Sequence, residues 1–163
     1  MKIQQISFKG MPANYAKIDE TVSRSAQPMI DDFQWLKENE QVTDVINFRT
    51  MFEPKVDFSE SYVVEKLGMK YHSIPSKTKE PSEENIAKFL KIVNDVKEKK
   101  GKVHIHCKAG ADRTGMYAYI YKAINNIGNP VENEMEWLAK GHNTTLFPDL
   151  IGWTKNFLKQ ILK

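Results

Sequence analysis

The chain has 163 residues, 40% of them hydrophobic and 10% aromatic, which fits one domain around one core, residues 1–163, and excludes a disordered chain. The net charge of +3, from 24 basic and 21 acidic residues, is too mild to argue for nucleic acid and suits a small anionic ligand better than a cation. A single cysteine, Cys107, rules out an internal disulfide. No apolar run reaches the roughly 18 residues of a membrane span, and the first residues lack the apolar stretch of a secretory signal, so a cytoplasmic location is expected.

Elements follow in chain order. A short strand is expected near Thr21 to Ser25, then a helix after Pro28 that carries Phe33 and Leu36. Val42 to Phe48 reads as a buried strand, Asp57 to Leu67 as a helix closed by Gly68, and Met69 to Ile74 as another strand. Ser82 is a good N-cap, with Glu83 and Glu84 in the first turn and Ile86, Phe89, Leu90, Val93 and Val96 at helical spacing. Lys102 to His106 is a strand whose Val103 and Ile105 share a face. After Arg113 the composition is helical, although Tyr117, Tyr119 and Tyr121 alternate as in a strand. Pro130 to Lys140 and Phe147 to Lys163 are two more amphipathic helices. Strands alternating with helices predict an α/β fold with a mostly parallel central sheet.

The stretch that carries chemistry runs His106-Cys107-Lys108-Ala109-Gly110-Ala111-Asp112-Arg113-Thr114-Gly115. It links a strand to a helix. A loop there can aim its backbone N–H groups at an anion held on the positive end of the helix. On this reading His106, Lys108, Ala109, Gly110 and Ala111 build the phosphate socket, with His106 orienting the loop. Gly110 lets the backbone approach the ligand. Cys107 is the candidate nucleophile, its thiolate stabilised by the helix terminus and by Arg113. Arg113 offers a planar fork to two phosphate oxygens, and Thr114 a hydroxyl to the sulfur.

This segment resembles the signature of the protein tyrosine phosphatase superfamily: His-Cys, five residues, Arg, then Ser or Thr. Val22-Ser23-Arg24-Ser25-Ala26-Gln27-Pro28 and Val45-Ile46-Asn47-Phe48-Arg49 resemble upstream segments of bacterial and plant dual-specificity-like phosphatases. The resemblance implies a sheet flanked by helices, no metal or other cofactor, and a phosphocysteine intermediate. Its substrates would be phosphoproteins, phosphoinositides or inositol phosphates.

One departure concerns the proton donor. Members of the superfamily carry an Asp on a loop ahead of the helix that precedes the signature strand. Here no Asp occurs between Phe58 and Asn94, and Thr78 stands about where one is expected. Asp112 and Glu80 are the substitutes, with Asp112 ahead because the Asp-Arg-Thr ending resembles myotubularin-like and Sac-like phosphatases. Lys77, Lys79 and Lys108 form a basic rim or a merely solvated face. Arg24 and Arg49 bind substrate or pair with Glu53 or another carboxylate, the structural role being favoured. His104, His106 and Cys107 are weighed as a metal cluster and set aside for want of a fourth ligand. The competing functions are a phosphate-binding pseudophosphatase and, behind it, a rhodanese- or arsenate reductase-like thiolate enzyme.

Overall fold

The computed structural model describes residues 10–162. The first nine residues, on which the expectation of a missing secretory signal partly rests, and Lys163 lie outside them. Five strands form one sheet: β1 Ala16–Lys17, β2 Val22–Ser25, β3 Asp44–Asn47, β4 Lys70–Ser73 and β5 Val103–His106. Their order is β1-β2-β5-β3-β4, with β1 antiparallel to β2 and the other pairs parallel. The helices are α1 Ile30–Glu40, α2 Glu60–Lys66, α3 Glu83–Glu98, α4 Asp112–Ile124, α5 Pro130–Ala139 and α6 Leu150–Ile161.

The expected α/β fold with a mostly parallel sheet is what forms. β5 is the central strand and is buried on both faces. Val103 and Ile105 face the larger apolar cluster, with Phe89, Tyr117 and Ile120. His106 meets Phe33, which belongs to a second cluster with Leu36, Val45 and Val64. Whatever follows β5 therefore emerges from the middle of the sheet, between the ends of β2 and β3. In open α/β sheets, that crevice is where ligands bind.

Local chemistry sets the helix limits. Ser82 Oγ accepts the Asn85 N–H at 3.2 Å, as its cap position predicts. α2 begins at Glu60, later than the expected Asp57, because Ser59 takes the cap position. The residues from Phe147 to Asp149 lead into α6 rather than forming its first turn. β1 spans two residues, too few for any alternation to register.

The alternating tyrosines belong to α4. This helix is buried on all sides from Thr114 to Lys122, so it has no polar stripe. Tyr117 stacks on Phe48 with centroids 3.8 Å apart, and Tyr121 donates to Asp19 at 2.5 Å. Gly115 is required by packing: a Cβ there would run into Nε1 and Cδ1 of the buried Trp137 on α5. Gly115→Ala is expected to destabilise the fold by about 1–3 kcal/mol through overpacking, measured as a lower urea midpoint at unchanged m. An unchanged midpoint would mean that α5 is free to yield.

Candidate active site

The loop from Cys107 to Ala111 is held by its carbonyls. His106 Nδ1–H donates to Cys107 O at 3.0 Å, and Gln27 N–H to Lys108 O at 2.9 Å. Asn14 Nδ2 donates to Ala109 O at 3.2 Å, and the Arg24 guanidinium to Gly110 O at 2.8 Å. Ala111 O takes the first bond of α4, from Gly115 N–H at 3.1 Å. Every carbonyl is thus engaged by the scaffold. The N–H groups of Lys108, Ala109, Gly110, Ala111, Asp112 and Arg113 have no acceptor among the described residues. A row of unpaired donors at a helix N-terminus, beside a thiol, is the electrostatic complement of an anion.

Gly110 is fixed by two constraints. Its φ is +70°, and a Cβ would lie 2.5 Å from Ser25 C and Ala26 N at the end of β2. Close approach to the scaffold, beyond approach to ligand, demands glycine here.

Cys107 is 2% exposed. Thr114 Oγ1, expected to reach the sulfur, is fully buried and bonds to nothing among the described residues, Cys107 included. It is a spare hydroxyl next to the loop. A neutral thiol is a poor acceptor for it, whereas a thiolate is a good one.

Arg113 is oriented by Glu53, a residue that sequence reading had offered only to Arg24 or Arg49. Nη1 and Nη2 bind its two carboxylate oxygens at 2.6 and 2.7 Å. Nη1 also donates to Phe48 O at 3.4 Å and Ser76 O at 3.2 Å, so the loops after β3 and β4 converge on one guanidinium. Burial works to raise the Glu53 carboxyl, but the Arg113 fork and the Thr50 N–H hold it down at about 2. Burial also works to lower Arg113, and its bond to Glu53, with the charge of Cys107, raises it instead. Nothing in the sequence marked Glu53 as the partner of Arg113, because the two meet only through the fold, across 60 residues.

His106 lies behind the socket. Its ring is fully buried, Nε2 meets Glu60 Oε2 at 2.7 Å, and Glu60 Oε1 accepts from Gln27 at 2.7 Å. Both ring nitrogens are taken, so the side chain offers nothing to a ligand. Within the socket its part is that of a support, holding the loop from behind. His104 is likewise spent: Ser23 Oγ donates to Nδ1 at 2.8 Å, and Nε2–H donates to Ser25 Oγ at 2.7 Å. Burial keeps its pKa well below the usual histidine value. Among the described residues no three acidic, histidine or cysteine side chains gather as a metal site.

Arg49 binds Gln27 Oε1 at 3.0 Å, Pro54 O and, at 3.6 Å, Glu53. This is a structural role. Asp112 opens α4 with Oδ1 filled by His142 Nδ1–H at 2.7 Å and Asn143 N–H at 2.8 Å. Its Oδ2 accepts nothing from the described residues. Lys77, Thr78 and Glu80 share a small cleft with Arg113. Lys77 and Glu80 are both well exposed and 3.5 Å apart, a surface pair of little energetic weight. Lys108 is exposed on the socket loop, and the side chains of Ala109 and Ala111 carry no chemistry, so these residues can contribute through their N–H groups.

The Glu53–Arg113 pair has a pH signature. An unfolded glutamate takes its proton near 4.5, whereas the folded one holds off until about 2. Between those values the unfolded chain binds the extra proton, so stability falls as pH falls through that window. Glu53→Gln is expected to flatten this acid-side loss of Tm. It should also weaken inorganic phosphate binding about tenfold to a hundredfold, the range for a hydrogen bond to a charged group. An acid limb that is unchanged in the variant would show that the pair contributes nothing to it.

Comparison with known proteins fits this geometry. A family model described as polymorphic toxin system, DSP-PTPase phosphatase, matches residues 20–123, from just ahead of β2 almost to the end of α4. No curated protein matches the chain. Among solved structures, TpbA from P. aeruginosa aligns with TM-score 0.72 at 20% identity, covering 88% of this chain and 84% of its own. A putative phosphatase from Shewanella putrefaciens gives 0.73 at 22%, covering 96% of each. The core catalytic domain of the PP-IP phosphatase SIW14 from S. cerevisiae gives 0.72 at 18%, covering 92% of this chain and 93% of its own. These structures share the fold. No helix among the described residues is long and apolar enough to cross a membrane. With its sheet, its socket loop and the matched segment, the chain belongs to the DSP-PTPase phosphatase family and is a cysteine-dependent phosphatase.

Proposed function

We propose that the chain works as a single phosphomonoesterase domain, with Cys107 as nucleophile and Arg113 as phosphate clamp. The observation that carries this reading is the row of unpaired N–H groups from Lys108 to Arg113 around a buried thiol, its carbonyls all engaged elsewhere. Such donors favour the thiolate and then the phosphoryl oxygens.

The steps follow from the placement. The Cys107 thiolate attacks phosphorus while the P–O ester bond breaks. Asp112, its Oδ1 anchored by His142 and Asn143, gives the leaving oxygen a proton from Oδ2. Arg113, held by Glu53, keeps its remaining N–H edge for the equatorial oxygens. Water then attacks the phosphocysteine, returning a proton to Asp112. The P–S bond breaks, and the unpaired Thr114 hydroxyl stabilises the departing sulfur.

The substrates proposed are phosphoproteins, phosphoinositides and inositol phosphates. Related folds support that range: TpbA has been crystallised with pTyr, PTPMT1 with PI(5)P, and SIW14 is a PP-IP phosphatase. Exposed Lys79 and Lys108 suit a multiply charged phosphate. A nucleophile that must remain a free thiol, with no second cysteine in the chain, fits the reducing cytoplasm.

Cys107→Ser is expected to lower turnover of an aryl phosphate by several orders of magnitude while the protein still melts cooperatively and binds phosphate. Turnover near wild type would end this mechanism. Asp112→Asn is expected to cost about a hundredfold on an alkyl or inositol phosphate and far less on nitrophenyl phosphate, which barely needs protonation. Equal losses on both would make Asp112 a brace only. A larger selective loss in Glu80→Gln would move the acid to the loop after β4.

A further inference from the structure

The mechanism uses one arginine, yet a second is buried beneath the same loop. Arg24 is 1% exposed on β2, paired with Ile105 in the ladder to β5. It lies on the α4 and α5 side of the sheet, opposite to the face where Ser23 and Ser25 hold His104. Its Nη2 donates to Gly110 O at 2.8 Å, and its Nη1 lies 3.7 Å from Glu136 on α5. Its Nε–H is buried without an acceptor among the described residues.

The surroundings are as unusual. Lys122 of α4 is buried and bonds to the same Glu136. Lys140, the C-cap of α5, is half-buried and reaches Tyr15 O at 3.4 Å. The charged groups set around Arg24 are thus Lys122, Lys140, Glu136 and Cys107. Three cations meet one carboxylate of fixed charge. Burying such an excess is unfavourable unless an anion compensates it. The compensating anion is at hand in the thiolate of Cys107 and in the phosphate that the loop receives.

We infer that Arg24, backed by Lys122 and Lys140, is a positioning residue of the phosphatase reaction: it holds the Gly110 carbonyl inward, away from the socket, and lends its charge, from behind the loop, to the Cys107 thiolate. This rests on Cys107 being the nucleophile. Burial lowers Arg24 to about 10, and the charge of Cys107 opposes that fall, so the guanidinium is cationic at neutral pH. Lys122 and Lys140 are lowered by burial first and then by Arg24 itself, as expected of cations crowded together.

The test uses the single cysteine, so alkylation reports one sulfur. The rate of inactivation by iodoacetamide against pH gives the midpoint of thiolate formation. Arg24→Met is expected to raise that midpoint by about one pH unit, the low end of what a neighbouring charge does, and to weaken inhibition by inorganic phosphate. Arg24→Lys should restore most of the midpoint, because it returns the charge. Glu136→Gln removes the one carboxylate and should move the midpoint down. An unchanged midpoint in a folded Arg24→Met protein overturns the inference. If that variant does not fold, an unchanged or raised midpoint in Glu136→Gln overturns it. Alkylation of wild type without inactivation would instead sink the nucleophile reading, so the two failures are distinct.

Discussion

The structure turns on a demand made by one short loop. From Cys107 to Ala111 the backbone must present its N–H groups to a ligand, so its carbonyls face the protein, where each needs a donor. The donors come from five places: the ring of His106, the backbone of Gln27, the side chains of Asn14 and Arg24, and the first turn of α4. The interactions around the socket serve that demand. Glu60 positions His106 and Gln27, Arg49 steadies Gln27, and Glu136 partners Arg24. The central position of β5 lets all of them reach the loop.

Charge is distributed by the same logic. Arg113 is gripped in front by Glu53, whose carboxylate is ionised at any pH near neutrality. Gripping removes the rotamer freedom that a long side chain would otherwise lose on meeting phosphate. Behind the loop the balance runs the other way, with more cations than carboxylates around Arg24. The socket thus has an oriented fork on one side and an unneutralised field on the other. A dianion gains from both, and a neutral ligand from neither.

Much of this was legible in the sequence, for reasons that can be named. The strand ending at His106, the loop and the helix opening near Arg113 are local and carry fixed spacings. α3 declared itself through its Ser82 cap and one apolar stripe. α4 declared itself poorly, because burial on all sides erases the stripe that periodicity detects. The supports of the loop were not legible. Asn14, Glu53, Glu60 and His142 are ordinary residues until the sheet closes and brings them to the loop or to α4. His106, by contrast, sits inside the motif, and its part in orienting the loop was readable from that position.

The reach of those supports has a consequence for the chain during its synthesis. Asn14 is separated from Ala109 by 95 residues, and Arg24 from Gly110 by 86. Contacts of such span form late, after the intervening chain has been ordered. Gly115 adds the packing of Trp137, which is translated later still. When Cys107 is made, Asn14, Arg24 and Gln27 are already in the chain, but Glu136 and Trp137 of α5 are not. The loop can therefore gain most of its donors from upstream chain, while the partner of Arg24 and the packing against Gly115 are completed only when α5 docks.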